Sequence, residues 1–422
     1  MKINLSILGK EVLDDLRSIG VEAERLGCIA YLVGGVVRDL LLRRESSDRD
    51  IVVEGNAVHL AKAIAAARKA KVTVYDQFGT ATVIFLNGPV LDFATARSEH
   101  YPHPGALPVV KPGSIAQDLF RRDFTVNALA VVLNAHRFGE VRDLYAGYED
   151  LKKKRIRVLH EKSFIDDPTR ILRGVRFETR FGFRLETKTL VLLKAALKHH
   201  APLTVKPPRY FAEFRKIFSE PRPVLCLRRI ALLKGLDFFR MGFCPDWPLL
   251  ARAEKTITKL KADEFYRAKD WSRVFLLAFL AKFSQKDLES FVARFHLTKE
   301  ERFSLSGLAE VRQIEDELKA TRLSPGEIYE VLDPVDLEII YFIRAATSVN
   351  IVACRVDEFL KKWRLVALEI TGEDLKSLGF KPGRPMGALL HILLLKKING
   401  EIKDHRGEMA AAISLGVGHQ RS

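Results

Sequence analysis

Asp48 and Asp50 stand one residue apart, about a dozen positions after a Gly34-Gly35-x-x-Arg38-Asp39 turn. In an extended segment side chains alternate between faces, so the two carboxylates project the same way and Arg49 the other. Two negative groups held that close repel unless positive charge lies between them, and divalent metal ions shared with a nucleoside triphosphate are the usual solution. Asp92, between the apolar Leu91 and Phe93, is a third carboxylate on a strand-like stretch, where a charge needs a partner. Three carboxylates on neighbouring strands can hold two metal ions about 4 Å apart. A DxD pair alone is more readily a polar turn entering a strand. Together with the glycine turn and Asp92, it reads as a nucleotide-transferring enzyme.

Three further groups fit that chemistry. Two glycines directly after a strand let the backbone turn sharply and expose amide hydrogens beside a helix start, which suits a triphosphate, and Arg38 one turn later could reach the same phosphates. The bland reading is a strand-to-helix turn with a surface arginine. In Arg121-Arg122-Asp123-Phe124-Thr125-Val126-Asn127, Arg121, Asp123 and Asn127 are candidates for phosphate and ribose contact, with Asp123 and Asn127 four apart on one helical face; Asp123 as a helix cap in a basic turn is the alternative. In Asp166-Asp167-Pro168-Thr169-Arg170, Pro168 fits a first helical position and Asp167 its cap. Asp167 and Arg170 then share one side of the first turn and can offer an acceptor and donors to a base edge.

The elements that must position these groups fall into two regimes. Residues 1 to about 150 alternate helix-like and strand-like stretches. A helix spans Ile7 to Leu26, strands span Ile29 to Val33 and Asp50 to Glu54, an alanine-rich helix spans Ala57 to Ala70, and further strands span Val72 to Tyr75, Ala81 to Leu86 and Val90 to Thr95. This predicts an α/β or α+β head with a mixed sheet. The stretch from Arg97 to Gly113 holds four prolines and two glycines and reads as a loop. From about Phe164 the period turns helical, through Thr169 to Phe181, Glu186 to Leu197, Pro208 to Phe218, Val224 to Leu233, Trp271 to Lys282 and Leu288 to Phe295.

With 422 residues, 47% of them hydrophobic, the chain is long enough for three or four modules. No apolar run approaches the roughly 18 residues a bilayer requires, and the start lacks a secretory pattern, so a cytoplasmic protein without membrane contact is expected. Cys28, Cys226, Cys244 and Cys354 are too scattered for a zinc ribbon or a disulfide framework. A net charge of +16 and a pI near 9.6 call for a polyanionic partner, nucleic acid first. Nothing calls for an obligate protein partner.

The segments LVGGVVRD (32 to 39), SDRDIVVE (47 to 54), LDFATAR (91 to 97), RRDFTVNALA (121 to 130), DLYAGYEDL (143 to 151), DDPTRILRGVRF (166 to 177) and RYFAE (209 to 213) resemble the bacterial-type, class II tRNA nucleotidyltransferases and poly(A) polymerases. The resemblance implies a polymerase-β-like nucleotidyltransferase head (1–150) with a mixed sheet. An all-helical neck (151–222), body (223–330) and tail (331–422) would follow, along which the tRNA acceptor stem and elbow lie. It implies addition of C and/or A from CTP and ATP to the tRNA 3′ end with two Mg²⁺ ions. Asp48, Asp50 and Asp92 would bind metal, Gly34, Gly35, Arg38 and Arg121 the triphosphate, and Asp123 and Asn127 the sugar side. Asp166, Asp167 and Arg170 would read the base, supported by Arg173, Arg209 and Glu213. Asp166 stands where the family has Glu, one methylene shorter.

In the tail, Lys381 and Arg384 flank a turn into a helix from Met386 to Lys397, and a packed helical pair with a solvated turn is at least as good a reading there as contact with the RNA backbone. The nearest rival is a poly(A) polymerase using the same site; a catalytically silent RNA-binding protein is the rival of another class. The family assigns the choice among CCA, CC and A addition to a flexible head loop, here within Ser98 to Gly113. The HYPHPGALP stretch departs from the form of full CCA enzymes, which makes a partial activity plausible.

Overall fold

The computed structural model describes residues 1–45, 49–86, 90–266 and 270–419. They form two compact units, Met1–Ile217 with Leu225–Gly242, and Phe218–Val224 with Phe243–Ser422.

The first unit is built on a seven-stranded sheet. Helix α1 (Lys10–Arg25) starts after Gly9, at φ +89°, and buries Val12, Leu16, Ile19 and Ala23 at spacings of three and four. Gly20 lies so close to the chain at Leu133 that a Cβ would come within 1.8 Å of its carbonyl oxygen. Then follow β1 (Ile29–Val33), α2 (Gly35–Leu41), β2 (Asp50–Glu54), α3 (Ala57–Arg68), β3 (Lys71–Tyr75), β4 (Thr80–Ile84) and β5 (Val90–Thr95). The hairpin β6 (Arg97–His100) and β7 (Val109–Pro112) leads to α4 (Ile115–Phe120), β8 (Leu129–Val132) and β9 (Val141–Asp143). The strand order is β3-β4-β5-β2-β1-β8-β9, with β2 and β5 parallel and every other neighbouring pair antiparallel. Tyr31, Val33, Val52, Ile115, Leu119, Ala130 and Val132 share a core.

The mixed sheet matches expectation, and β1, β2 and β5 fall where the sequence put them. Two expectations change. The Arg97 to Gly113 stretch is not a plain loop: β6 and β7 pair from Arg97↔Pro112 to His100↔Val109, and Pro102, Pro104 and Pro108 fall between the strands, where no ladder amide is needed. Asp123 and Asn127 do not sit on one α-helix: Thr125–Asn127 is a single 3₁₀ turn, separated from β8 by Ala128 alone. Strand β8 is buried throughout, and a continuous apolar run lacks the alternation that separates strand from helix.

Beyond the sheet come α5 (Gly147–Lys152), β10 (Arg155–Ile156), α6 (Ser163–Asp166), α7 (Thr169–Phe181), β11 (Arg184–Leu185), α8 (Thr187–Lys198) and α9 (Pro207–Phe218). The neck is therefore not wholly helical, because β10 and β11 pair in parallel. α7 ends at Gly182, at φ +67°, a left-handed turn that glycine adopts without strain.

The second unit is helical in its described residues. Phe218, Phe243, Phe279, Phe283, Phe291 and Phe295 form a chain of ring contacts, and Ile370, Leu375, Met386, Leu389, Leu393 and Ile402 form a further core. No helix among the described residues is long and apolar enough to cross a membrane.

Candidate active site

Three neighbouring interior strands of the sheet, β5, β2 and β1, carry the site. Val33, last in β1, pairs with Asp50, first in β2, and Asp50 is in register with Asp92 on β5. Registered residues on paired strands point to the same face, so these two carboxylates stand side by side. Both residues are exposed, and Asp92 accepts a hydrogen bond from Thr82 Oγ1 at 2.6 Å. Asp48 lies outside the described residues. Gly34, at φ +81°, follows Val33, and a Cβ there would meet Arg122 Nη1 at 2.8 Å and lie 3.6 Å from Asp50 Oδ2. Only glycine fits both that backbone and that space. Exposed carboxylates on adjacent strands, beside a glycine that leaves room, are hard oxygen donors suited to a divalent cation such as Mg²⁺.

Next to them opens a cleft of about 560 Å³. Its described lining holds eight cations (Arg38, Arg121, Arg122, Arg170, Arg173, Arg176, Arg180 and Lys216) against four carboxylates (Asp50, Glu99, Asp123 and Asp167). Such an excess of guanidinium groups matches a polyphosphate. α4 positions two of them. Its start is capped by Ser114 with Gln117, and Asp118, fully buried one turn on, accepts from Arg121 at 2.7 Å and from Arg122 at 3.1 Å. Arg121 also donates to Glu99 at 2.9 Å.

Arg38 is buried, and its donors are committed to Asp39, at 2.8 Å through both Nε and Nη2, and to Asn127 at 2.6 Å; the rings of Phe181 and Phe177 lie 4.5 and 5.4 Å from its guanidinium. It therefore lines the cleft as part of a fixed network, not as a free surface arginine. Asn127 donates on to Asp123 at 2.9 Å, so those two side chains meet across the 3₁₀ turn although no helix carries them. Arg173 closes the network with bonds of 2.6 and 2.8 Å to Asp123. Burial pushes the Asp123 carboxyl up, but Arg173 and Asn127 more than offset this and hold it at about 2. The Asp123 charge pushes the Arg173 guanidinium well above its ordinary range.

The opposite wall comes from the neck. α7 begins at Thr169 after Pro168, and Asp167 caps it from one position further out, accepting from the Thr169 amide at 3.1 Å and hydroxyl at 2.6 Å. Arg209 also reaches Asp167 Oδ1, at 2.9 Å. Arg170 is buried and held by Ser163 Oγ at 2.8 Å, the Arg121 carbonyl at 2.7 Å and Tyr101 Oη at 3.4 Å. Glu213 lies 3.5 Å from Arg173 and 2.6 Å from Lys216.

Gly34, Gly35, Arg38, Asp50, Arg121, Asp123, Asn127, Asp167, Arg170 and Arg173 thus line one cleft. Asp166 does not join them: it lines a neighbouring cavity, with Arg170 on the shared wall. Lys381 and Arg384 are exposed on the second unit, at the start of the helix Arg384–Ile398. The sequence motifs assign no role to Arg122, Arg176, Arg180, Tyr101 or Asp118, which also line or brace the cleft. Spacing carried part of that signal, since Arg173, Arg176 and Arg180 recur every three or four residues on α7, and Asp118 precedes Arg121 and Arg122 by three and four.

Residues 30–157 match the family model of the Poly A polymerase head domain. The chain is 34% identical over 414 residues to an A-adding tRNA nucleotidyltransferase of Geobacter sulfurreducens, covering 95% of this chain and 46% of that protein. It is 30% identical over 413 residues to an A-adding tRNA nucleotidyltransferase of Halalkalibacterium halodurans, covering 96% and 93%. The chain spans about half the length of the first of these relatives. Other similar proteins carry the names CC-adding tRNA nucleotidyltransferase and CCA-adding enzyme. A solved complex of a CCA-adding enzyme with ATP superposes with a TM-score of 0.75 at 30% identity, over 99% of this chain and 96% of that one.

Proposed function

Because this chain belongs to the tRNA nucleotidyltransferase family, we propose that it transfers C and/or A from CTP or ATP to the 3′ end of tRNA, releasing pyrophosphate. The observation that carries this reading is the pairing of Asp50 with Asp92 at the mouth of an arginine-rich cleft. Nucleotidyltransferases of this family generally use divalent metal ions. Asp48, Asp50 and Asp92 would hold two Mg²⁺ ions, which when bound supply positive charge for an in-line displacement. The tRNA 3′-hydroxyl gives up its proton to water, and its oxygen forms a bond to the α-phosphorus as the bond from that phosphorus to the oxygen bridging it to the β-phosphate breaks. Arg121 and Arg122, pinned by Asp118, stabilise charge on the departing pyrophosphate, and Gly34 and Gly35 let it approach the backbone. Asp123 and Asn127, locked by Arg173 and Arg38, take the sugar side. Asp167 and Arg170 present an acceptor and donors to the base edge, with Arg209 and Glu213 bracing the neck wall.

The A-adding relatives are 34% and 30% identical over nearly all of this chain, against 28% for a CCA-adding enzyme of equal coverage, which favours the terminal A as product. The proposal keeps the head (1–150), neck (151–222), body (223–330) and tail (331–422), with Lys381 and Arg384 contacting RNA, and a cytoplasmic location. The test gives tRNAs ending at the discriminator base, at C or at CC to the protein, with CTP and ATP separately. One A added to the CC-ending tRNA supports A addition, and a long A tract supports the poly(A) polymerase that the head-domain match also admits. Asp48→Ala and Asp92→Ala should abolish incorporation and spare tRNA binding; retained incorporation refutes the metal site.

A further inference from the structure

A second cavity of about 670 Å³ shares the Glu99, Tyr101, Arg121 and Arg170 wall with the cleft. Its character differs. Phe120, Tyr145 and His160 form a ring cluster, with Phe120 5.6 Å from Tyr145 and 5.4 Å from His160. Phe120 is 44% exposed although it is a large aromatic side chain. The Tyr145 hydroxyl is held by the Ala116 carbonyl at 2.8 Å, which fixes its ring. Charge here is balanced, three carboxylates (Glu99, Glu161 and Asp166) against three permanent cations (Arg121, Lys162 and Arg170). Asp166 opens into this cavity while Asp167, its neighbour in sequence, opens into the cleft.

We propose that this cavity takes the 3′-terminal base of the acceptor RNA, stacked on Phe120 and read at its edge by Asp166. The assignment rests on the transferase reading above. A polyphosphate belongs where cations are in excess. A flat, neutral, polar-edged group belongs where rings are exposed, charges cancel and hydrogen-bonding side chains remain, and a nucleobase has that chemistry. The wall shared with the cleft selects the source: the base directly preceding the incoming nucleotide must lie next to it when the 3′-hydroxyl reaches the α-phosphate. The two acidic residues at the start of the neck then serve successive nucleotides, Asp167 the incoming one and Asp166 the one already in the chain.

The experiment uses the full chain and an acceptor-stem RNA hairpin carrying 2-aminopurine as its 3′-terminal base, without nucleotide. Binding should quench the fluorescence with the wild type and with Phe120→Tyr, and leave it unquenched with Phe120→Ala. Phe120→Leu keeps apolar bulk without a ring face and should also leave it unquenched, which separates stacking from loss of fold. In steady-state assays Phe120→Ala should raise KM for RNA on the order of 10-fold and leave KM for the nucleotide unchanged. Equal quenching in the wild type and both ring-less variants overturns the proposal. So does a rise confined to KM for the nucleotide, which would make the cavity a site for free nucleotide. Quenching is read without turnover, so a wild type that quenches but incorporates nothing would sink the transferase reading and leave the stacking subsite standing.

Discussion

Arg173 and Asp123 show how much the cleft depends on paired charges. Asp123 is buried, and its carboxylate is tolerated there because Arg173 and Asn127 bond it. Removing one partner of a buried ion pair strands the other, at a cost of about 3 kcal/mol. Arg173→Ala should therefore lower unfolding stability by about that amount in denaturant titration, and Arg173→Lys by less. Because the folded carboxyl lies below its ordinary value of 3.8, at about 2, its stabilisation is complete above pH 3.8 and lost as pH falls toward 2. Arg173→Ala should flatten that part of the stability profile, checked by melting at fixed pH steps. Asp123 and Asn127 were visible in the sequence as a pair. The bond that Arg38 donates to Asn127, 89 positions away, was not, because no local period links the two.

At the scale of elements, the β6–β7 hairpin joins the head to the neck within the first unit. The Gly105 amide donates to the carbonyls of Ile165 and Asp166 at 3.3 and 3.2 Å, and Arg209 returns bonds to the Gly105 and Ala106 carbonyls at 3.1 and 3.2 Å. Gly105 sits at φ +71°, and a Cβ would meet the Thr204 backbone at 2.7 Å. Gly105→Ala should unseat the hairpin tip, seen as faster limited proteolysis between residues 100 and 108 and weaker discrimination of CTP and ATP against GTP and UTP. Helix α1 offers a contrast, since its contact is structural: Gly20→Ala would drive a methyl into the Leu133 carbonyl and should cost about 2 kcal/mol or more in denaturant titration. Proline content marked the hairpin as irregular, but only cross-strand pairing made it a hairpin. Four of the seven sheet strands, β1, β2, β3 and β5, were legible to within about a residue because each is a short, bounded run.

For the whole molecule the relevant quantity is the +16 charge. Each phosphate neutralised on binding releases a counterion, so affinity for tRNA should fall steeply with salt, by at least about 10-fold between 50 and 200 mM in filter binding. A flat salt response would remove the electrostatic case for an RNA partner. Lys381→Ala with Arg384→Ala should reduce the slope by about two if both side chains touch phosphate, and leave it unchanged if the turn is merely solvated.

The linear order of residues determined the carboxylate pair, the glycine turn, the arginine-rich motifs, the change from mixed to helical character and the family resemblance, because each is a local pattern of residue type and spacing. Folding alone decided that Asp50 stands beside Asp92, that Arg38 is locked by Asp39 and Asn127, and that adjacent Asp166 and Asp167 open into different cavities. Those outcomes depend on strand register and on contacts between residues far apart in sequence, which no local pattern specifies.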